Sequence, residues 1–474
     1  MSDLCFTPAH KLRAMLLARD ISAKELLEEF ITQTQRHNPT INALVTLNVD
    51  GARQRAAAID QLLTSNDHAA GPLHGLPIAV KDVFATKGLR TTLGNPLFSD
   101  HVPVEDDILV AREKAAGAVI LGKSNTPDCA SGGITTNTLF GLTRNPWNTD
   151  KTTSGSGGGG VASLMSGMVA MADGSDVGGS VRSPAAWSNC VGFRPSSGRI
   201  PGPPGSLADG NTSTAGVFSR CVKDTALFMY ACDGPDSRAA TPYPQGPAIT
   251  VDALDQLPSG LKAAWSEDFA QRQMHPNISA LFETHASIFE TIGVRRSTQQ
   301  LDLGSNYRKL YTDFNAYAYV KGLPTQVLEH CLQGKPVKPS IQANVDHYMS
   351  MSAQQIFEMF RAREVLRVNT QLFMQEHAVI ITPAHNCLAY GATDTLGQDQ
   401  CDWSAFYLAP LLGLPSVVVP CGFTQDGMPH GVMITGRRGE DLLVLQVAAA
   451  FERATGYGKQ SPKLGLFNVN PPSS

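Results

Sequence analysis

Apolar positions recur with a helical period over the first part of this chain. Ser22 and Glu25 have the spacing of a capping box before an apolar run, which predicts a helix that ends at Pro39. A second amphipathic helix is predicted over 50–63. Residues 1–70 are therefore expected to form a leading helical section.

The period then changes to short apolar runs. Ile78-Ala79-Val80 and the run at 118–121 are typical of buried strands, and a helical stretch at 109–116 lies between them. Strand character returns at 379–381 and 416–419. Because strands alternate with helices, the pattern predicts an α/β fold in which the last strands complete the sheet begun by the first.

The length of 474 residues exceeds what one small core supports, so either two domains or one large layered domain is expected. We interpret the chain as one domain. The interval before the last strands is rich in proline and helix-forming residues, and it carries no motif with attached chemistry. The predicted parts of the domain 1–474 are N-terminal helices 1–70, a core 71–203, a variable helical region 204–375 that shapes the substrate site, and a C-terminal completion of the sheet 376–474.

Composition and charge exclude several classes of protein. Hydrophobic residues make up 42% and charged residues 17%, which is typical of globular proteins. The 38 basic and 42 acidic residues give a net charge of −4, which offers no positive field for a nucleic acid backbone. No run approaches the roughly 20 apolar residues of a membrane span, and the first residues lack a signal-peptide core. We expect a soluble, cytoplasmic protein that binds neither nucleic acid nor membrane.

The nine cysteines show no CxxC pair and no disulfide-scaffold density, so they are expected to be reduced thiols that pack as small apolar residues. The 12 histidines form no HExxH pattern, and the acidic residues are scattered, so no metal site is predicted.

Two glycine-rich segments carry the candidate chemistry. The segment TSGSGGGG at 153–160 precedes a helix-like run, so its backbone N–H groups would converge at a helix N-terminus. A phosphate cradle and a flexible linker are alternative interpretations of this segment. In the second segment, Ser180 follows Gly178 and Gly179, which permit close approach of a substrate carbonyl. The N–H groups of Val177, Gly178, Gly179 and Ser180 are predicted to form an oxyanion hole.

Four motifs in one order resemble the amidase signature family. They are HGLPIAVKD at 74–82, GKSNTP at 122–127, TRNPWN at 143–148 and GSDVGGSVRSPAA at 174–186. The resemblance covers most of the chain and is weak over 204–375. It implies a large mixed β-sheet covered by helices on both faces.

The resemblance also implies a catalytic triad. In that family a strand-end lysine, a serine that follows a cis peptide in the glycine-rich loop, and a serine after a Gly-Gly pair act together, and here these match Lys81, Ser156 and Ser180. The spacings of 75 and 24 residues follow the family pattern. Lysine has a pKa of about 10.4 in water, so Lys81 must be neutralised by burial to act as a base near pH 7. Ser156 would relay the proton between Ser180 and Lys81.

The sequence departs from the family pattern at the glycine-rich loop. Gly157 stands where a second serine is usual, and Ser154 stands where glycine is usual. Ser154 is therefore expected to compensate as a structural support. Asp176 and Arg182 flank Ser180 and are interpreted as a structural pair that orients the oxyanion loop.

The family resemblance places the leaving-group side of the site at the loop 129–135. We expect a pocket there whose backbone carbonyls accept from the amide nitrogen, while acyl-side specificity resides in 204–375. The residues predicted to bind substrate are Cys129, Ala130, Gly132, Gly133 and Ile134.

The implied activity is hydrolysis of a small-molecule carboxylic amide through an acyl-Ser180 intermediate, without a cofactor, and anilides, hydrazides and esters remain open as substrates. The resemblance also allows a homodimer. One rival is a glutamine-hydrolysing subunit of a transfer RNA amidotransferase, although Ser183 stands where those subunits usually carry glutamine. A catalytically silent binding protein is a second rival. A Ser-His-Asp hydrolase that uses His74 as its base is a third.

Overall fold

The predicted strands come together in one mixed sheet of 11 strands, and a separate pair forms a small two-stranded ribbon. The computed structural model describes residues 4–64, 70–239 and 241–464. The strands in chain order are β1 Leu44–Leu47, β2 Pro77–Lys81, β3 Val119–Ser124, β4 Thr136–Asn137, β5 Gly141–Leu142, β6 Met171–Asp176, β7 Val191–Arg194, β8 Thr214–Ser219, β9 Leu261–Trp265, β10 Val294–Ser297, β11 Val379–Pro383, β12 Ser416–Phe423 and β13 Pro429–Gly436.

The order of the large sheet is β1-β3-β2-β6-β8-β7-β12-β13-β11-β9-β10. Strands β3, β2 and β6 run parallel, as do β11, β9 and β10, and the remaining neighbours are antiparallel. Because β11, β12 and β13 lie in the same sheet as β2 and β3, the C-terminal part of the chain completes the sheet, as the sequence predicts. The predicted α/β class with a mixed sheet is confirmed.

Helices cover both faces of this sheet. In chain order they are α1 Ala9–Ala18, α2 Ala23–Ile41, α3 Val49–Thr64, α4 Ile108–Ala115, α5 Gly158–Met165, α6 Arg182–Ala186, α7 Val222–Cys232, α8 Pro276–Glu283, α9 Ala286–Thr291, α10 Tyr307–Gly322, α11 Thr325–Leu332, α12 Pro339–Ser350, α13 Ala353–Glu376, α14 Thr395–Gln400, α15 Ser404–Leu412 and α16 Asp441–Thr455. Short 3-10 turns occupy Leu4–Phe6, Pro96–Phe98, Asp128–Ala130, Asp252–Asp255 and Tyr457–Lys459. In the described part of the chain, no helix is both long and apolar enough to cross a bilayer.

The region 204–375 is not only helical. It supplies β8 to the middle of the sheet and β9 and β10 to one edge, besides helices α7 to α13. The sequence does not reveal β9 and β10 because they are short and carry charged residues among their apolar ones, so their apolar positions form no continuous run. This region therefore belongs to the sheet as well as to the cover over it.

The predicted capping box of α2 is present, with the Ser22 hydroxyl accepting from the Glu25 N–H and the Glu25 carboxylate accepting from the Ser22 N–H. The predicted stop at Pro39 is wrong, because α2 continues to Ile41. A proline removes only one N–H donor, and the true stop is Asn42, whose left-handed backbone (φ 55°) closes the helix with a 2.8 Å bond to the carbonyl of Asn38.

The expectation of nine reduced thiols is also wrong for one pair. Cys387 and Cys401 form a disulfide with their Cα atoms 5.8 Å apart. The two residues meet because the chain turns back between β11 and α15, and neither their spacing nor their neighbours indicates this. The other cysteines are free thiols, and all of them except Cys221 are buried.

Candidate active site

Lys81 is the last residue of β2 and is fully buried. Its ammonium nitrogen donates to the hydroxyl of Ser156 at 2.7 Å and to the hydroxyl of Ser175 at 2.9 Å. Burial lowers the pKa of Lys81 to about 7, although the carboxylates of Asp173 and Asp176 oppose the shift. A lysine in this environment is partly neutral near pH 7 and is therefore able to accept a proton.

Ser156 lies in the glycine-rich loop that leads into α5, and only 1% of its surface is exposed. The peptide bond between Gly155 and Ser156 is cis, as the family resemblance implies. The N–H of the next residue, Gly157, donates to the carbonyl of Ser180 at 3.1 Å. This bond ties the loop of Ser156 directly to the segment of Ser180.

Ser180 follows β6 and precedes α6, at the wall of a cavity that Ser156 also lines. Of the four predicted oxyanion donors, Gly179 already has an acceptor, because its N–H donates to the Asp176 carboxylate at 3.0 Å. The N–H groups of Val177, Gly178 and Ser180 have no acceptor among the residues that the structure describes. These three remain the candidate donors to a developing negative charge.

Asp176 and Arg182 form a fully buried, bidentate ion pair with bonds of 2.8 and 3.0 Å. Burial by itself would raise the pKa of Asp176, but the guanidinium groups of Arg182 and Arg194 outweigh it and hold the pKa well below its usual range. The same carboxylate accepts from the N–H groups of Gly179 and Val181. The pair thus holds the turn on which Ser180 lies, while the role of this turn as an oxyanion loop stays a prediction.

The cavity at this site encloses about 250 Å³. The two glycine-rich segments line part of it, and Gln398, Trp403 and Tyr407 line it from the C-terminal part of the chain. The region 204–375, which we expect to shape the acyl side, supplies Ser206, Leu207, Asp209, Thr212, Ser213, Asn315, Ala318, Tyr319, Gly322, Ser340 and Asn344. His74, the alternative base, lies outside the described lining.

The predicted leaving-group loop lies at the cavity, with one exception. Cys129, Ala130, Gly132 and Gly133 line it, whereas the side chain of Ile134 packs in a separate apolar cluster. Ile134 therefore lies outside the described lining, and its predicted contact with substrate stays a prediction. The Ile134 side chain packs with Trp187 and Tyr390 instead, and sequence spacing does not report such contacts between distant segments.

Three carbonyls of this loop already accept hydrogen bonds. Those of Cys129, Ser131 and Gly133 accept from Tyr319 (3.0 Å), Lys338 (2.6 Å) and Tyr390 (2.7 Å) respectively. A substrate N–H would have to share these carbonyls through their second lone pairs.

The structure explains why glycine replaces the second loop serine at position 157. A Cβ atom there would lie 2.5 Å from the ring of Phe218 and 2.6 Å from the carbonyl oxygen of Ser180. The space that a side chain would need is filled by β8, so the loop and the strand approach each other only with glycine.

Sequence reasoning missed two groups at this site. Ser175 is the second partner of Lys81, and its place five residues before Ser180 in the same motif is a signal that could have identified it. Ser183 and His385 are the others: the hydroxyl of Ser183 bonds to that of Ser154 and to Nε2 of His385. His385 is 202 residues from Ser183, so no local pattern indicates it.

Two groups of three side chains have atoms close enough to hold a metal ion, within the residues described: His385, Cys387 and Cys401, and His10, Cys221 and Asp224. In each group the atoms already bond one another, through the disulfide in the first and through a 2.6 Å bond between His10 and Asp224 in the second. Neither group lines the cavity. The absence of a metal stays a prediction.

Comparison with known proteins gives a consistent result. A sequence profile of the amidase family matches residues 25–445. The chain is 29% identical to a glutamyl-tRNA(Gln) amidotransferase subunit of Synechococcus sp. (strain CC9605), over 96% of this chain and 97% of that protein. It is 28% identical to an acylamidase of Rhodococcus erythropolis, over 97% of this chain and 98% of that protein.

Among solved structures, a bacterial aryl acylamidase of the amidase signature family superposes with a TM-score of 0.85 at 27% identity, covering 96% of this chain and 98% of that chain. A 6-aminohexanoate cyclic dimer hydrolase has the same fold, with a TM-score of 0.85 at 24% identity over 97% of this chain and 99% of that chain.

Proposed function

Because this chain belongs to the amidase signature family, whose members cleave amide bonds in small substrates, we propose that it hydrolyses a carboxylic amide to an acid and an amine or ammonia. One observation carries the proposal: the buried Lys81, with its pKa lowered to about 7, donates to Ser156 at 2.7 Å at the wall of a cavity that Ser180 also lines.

In the proposed reaction the hydroxyl oxygen of Ser180 attacks the substrate carbonyl carbon. Its proton passes to Ser156, which gives its own proton to neutral Lys81. The carbonyl oxygen becomes an oxyanion that accepts from the N–H groups of Val177, Gly178 and Ser180. Because these donors are fixed before substrate arrives, they need no reorganisation in the transition state.

The tetrahedral intermediate then collapses as the carbon–nitrogen bond breaks. Lys81 returns the proton through Ser156 to the leaving nitrogen, which leaves as a neutral amine, and the acyl group remains on Ser180. Water attacks this ester, and its proton follows the same path to Lys81. The bond between the carbonyl carbon and the Ser180 oxygen then breaks, Lys81 returns the proton through Ser156 to that oxygen, and the acid is released. No cofactor enters either step.

The test is intact-protein mass spectrometry after reaction with a fluorophosphonate, followed by peptide mapping. We expect one adduct on Ser180, and we expect its formation to be lost in Lys81→Ala and slowed strongly in Ser156→Ala. A matched control is Ser219→Ala, which removes a buried, hydrogen-bonded hydroxyl of β8 outside the cavity and should label like the wild type. Absence of any adduct would favour the catalytically silent alternative.

A glutamine-hydrolysing amidotransferase subunit is the second candidate, because such subunits are among the curated relatives. Within the described lining of the cavity, Asp209 is the one charged side chain, and it is paired with Lys321. The α-carboxylate of glutamine would meet no cation of the described lining, because Lys338 is not part of that lining and its ammonium group donates to the carbonyl of Ser131 at 2.6 Å. We therefore propose that uncharged amides are cleaved in preference to glutamine.

A panel of neutral amides, anilides and hydrazides measured beside glutamine distinguishes the two candidates. Release of acid from a neutral amide with no release of glutamate supports the amidase. Glutaminase activity, or a partner protein that co-purifies in stoichiometric amount, would support the amidotransferase subunit instead.

A further inference from the structure

Three buried side chains from distant parts of the chain form one hydrogen-bonded series. The hydroxyl of Ser154 lies 2.5 Å from the hydroxyl of Ser183, which lies 2.9 Å from Nε2 of His385. None of the three side chains is exposed to solvent. In a site of low polarity such a series is costly to break, because each unpaired group would lose a hydrogen bond that water cannot replace.

The first bond in this series crosses between the two candidate catalytic segments. Ser154 lies two residues before Ser156 in the glycine-rich loop, and Ser183 lies three residues after Ser180 in the first turn of α6. The hydroxyl–hydroxyl contact therefore supplements the backbone bond from Gly157 to the carbonyl of Ser180. Together the two contacts fix the separation of the loops.

The backbone of Ser154 is hydrogen-bonded at both its N–H and its carbonyl. Its N–H donates to the hydroxyl of Thr152 at 2.9 Å, and its carbonyl accepts from the hydroxyl of Thr135 at 2.9 Å. Its φ of 64° lies in the left-handed region. These contacts hold the backbone in the position from which the Ser154 hydroxyl reaches that of Ser183.

His385 is equally well held. It follows β11, and its ring stacks on the indole of Trp187 with centroids 3.8 Å apart and planes 14° apart. Burial lowers the pKa of His385 well below its usual value, so the ring is neutral at physiological pH. A neutral imidazole carries one donor and one acceptor, either of which completes the hydrogen bonding of a serine hydroxyl.

We infer that His385 is a positioning residue of this site: through Ser183 and Ser154 it fixes the distance between the loops that carry Ser156 and Ser180. The inference rests on the proposed roles of those two serines. A proton relay depends on short oxygen–oxygen distances, and a displacement of about 1 Å can lower a rate by about 100-fold. Gly157 has no hydroxyl with which to stabilise the loop of Ser156. The hydroxyl of Ser154 supplies that hydrogen bond instead.

The experiment measures fluorophosphonate labelling of Ser180 as a function of probe concentration, which separates the maximal rate of adduct formation from the probe affinity. Ser154→Ala and Ser183→Ala are each expected to lower the maximal rate by about tenfold or more, with the affinity unchanged. The double variant should be no slower than the slower single variant, because both remove the same contact. Ser219→Ala is the control.

Two substitutions test His385 itself. His385→Leu keeps much of the volume and removes the polar atoms, and it should lower the maximal rate to a similar extent. His385→Gln places an amide group near the position of Nε2 and should restore most of the rate, which a purely structural role would not explain. His285→Gln is the control, since His285 is fully buried, packs against Phe451 and lies outside the cavity lining.

The outcomes are distinguishable. If the wild type is labelled and Ser183→Ala is labelled equally fast, the positioning inference is wrong while the proposed function stands. If the wild type is not labelled where a control hydrolase reacts, both proposals are wrong. Should His385→Leu fail to fold, the two serine variants decide, because each removes only one oxygen atom from the interior.

Discussion

Lys81 shows how strongly one residue depends on its surroundings. The sequence places Lys81 at the end of a buried strand. That burial removes its side chain from water and lowers its pKa to about 7. Among the described residues, the hydroxyl groups of Ser156 and Ser175 are the hydrogen-bond partners of its ammonium group in place of water. The ammonium form is therefore destabilised while the neutral form keeps its hydrogen bonds.

We predict that activity depends on pH through this lysine. Because the pKa is lowered and the neutral form is the base, the rate of Ser180 labelling should rise about tenfold per pH unit below about 7 and become constant above it. Lys81→Arg keeps a permanent positive charge and should be inactive at every pH tested. A rate independent of pH between 5 and 9 would contradict the assignment of Lys81 as the base.

Gly157 is, with Ser154, one of the two positions of the glycine-rich loop at which the sequence departs from the family pattern, and its surroundings predict the effect of placing a serine there. In Gly157→Ser the new Cβ would lie 2.5 Å from the ring of Phe218. We expect a loss of about 1–3 kcal/mol in the free energy of unfolding and a strong decrease in labelling. Denaturant unfolding measures the first, and the labelling assay measures the second.

The control is Gly458→Ser, whose Cβ would meet its neighbours only at 3.4 Å and beyond. Unchanged stability in both variants would show that Phe218 moves aside readily, and that the second serine is missing for another reason.

At the scale of elements, the segment between Cys387 and Cys401 holds one wall of the cavity. Tyr390 donates to the carbonyl of Gly133 at 2.7 Å, and Gln398 accepts from the N–H of Gly133 at 3.1 Å. The carbonyl and the N–H of Gly133 are thus both bonded to the segment that the disulfide between Cys387 and Cys401 closes into a loop.

We predict that dithiothreitol lowers the thermal midpoint of the wild type and weakens probe affinity more than it lowers the maximal labelling rate. Closing a loop of about 15 residues contributes about 3 kcal/mol, and its opening releases the contacts to Gly133. Cys387→Ser should show the weakened affinity already without reductant and no further response to it. An equal response of the variant and the wild type would place the effect elsewhere.

At the scale of the whole molecule, two buried carboxyl groups are expected to make the stability depend on pH. Glu113 in α4 and Asp173 in β6 are fully buried. Burial raises the pKa of Asp173 to about 7 and raises that of Glu113 well above its usual value. Lys123, also fully buried, is the nearby cation that opposes both shifts.

These shifts predict how stability depends on pH. A carboxyl with a raised pKa binds its proton more tightly in the folded state, so its contribution is complete below the unfolded pKa of about 4 and is lost as the pH rises through about 7. Glu113→Gln should flatten this decline in the free energy of unfolding between pH 5 and 8. Glu105→Gln, at an exposed position, should leave the decline unchanged.

The sequence determined the parts of this protein that are encoded locally. The apolar runs predict β2, β3, β11 and β12, because burial on both faces requires continuous hydrophobic residues. The motifs position Lys81, Ser156 and Ser180 at strand ends and glycine turns, which are set by the neighbouring residues. The pair of Asp176 and Arg182 follows in the same way from their separation of six residues.

Tertiary structure decided whatever depends on contacts between distant segments. The carboxylate of Asp176 takes the N–H of Gly179 from the predicted oxyanion hole, and Ile134 turns away from the cavity. His385 meets Ser183 across 202 residues, and the disulfide closes where the chain doubles back. Hydrogen bonding and packing are short-ranged in space, whereas a sequence pattern reports only what is near along the chain, so these features become visible only once the sheet is assembled.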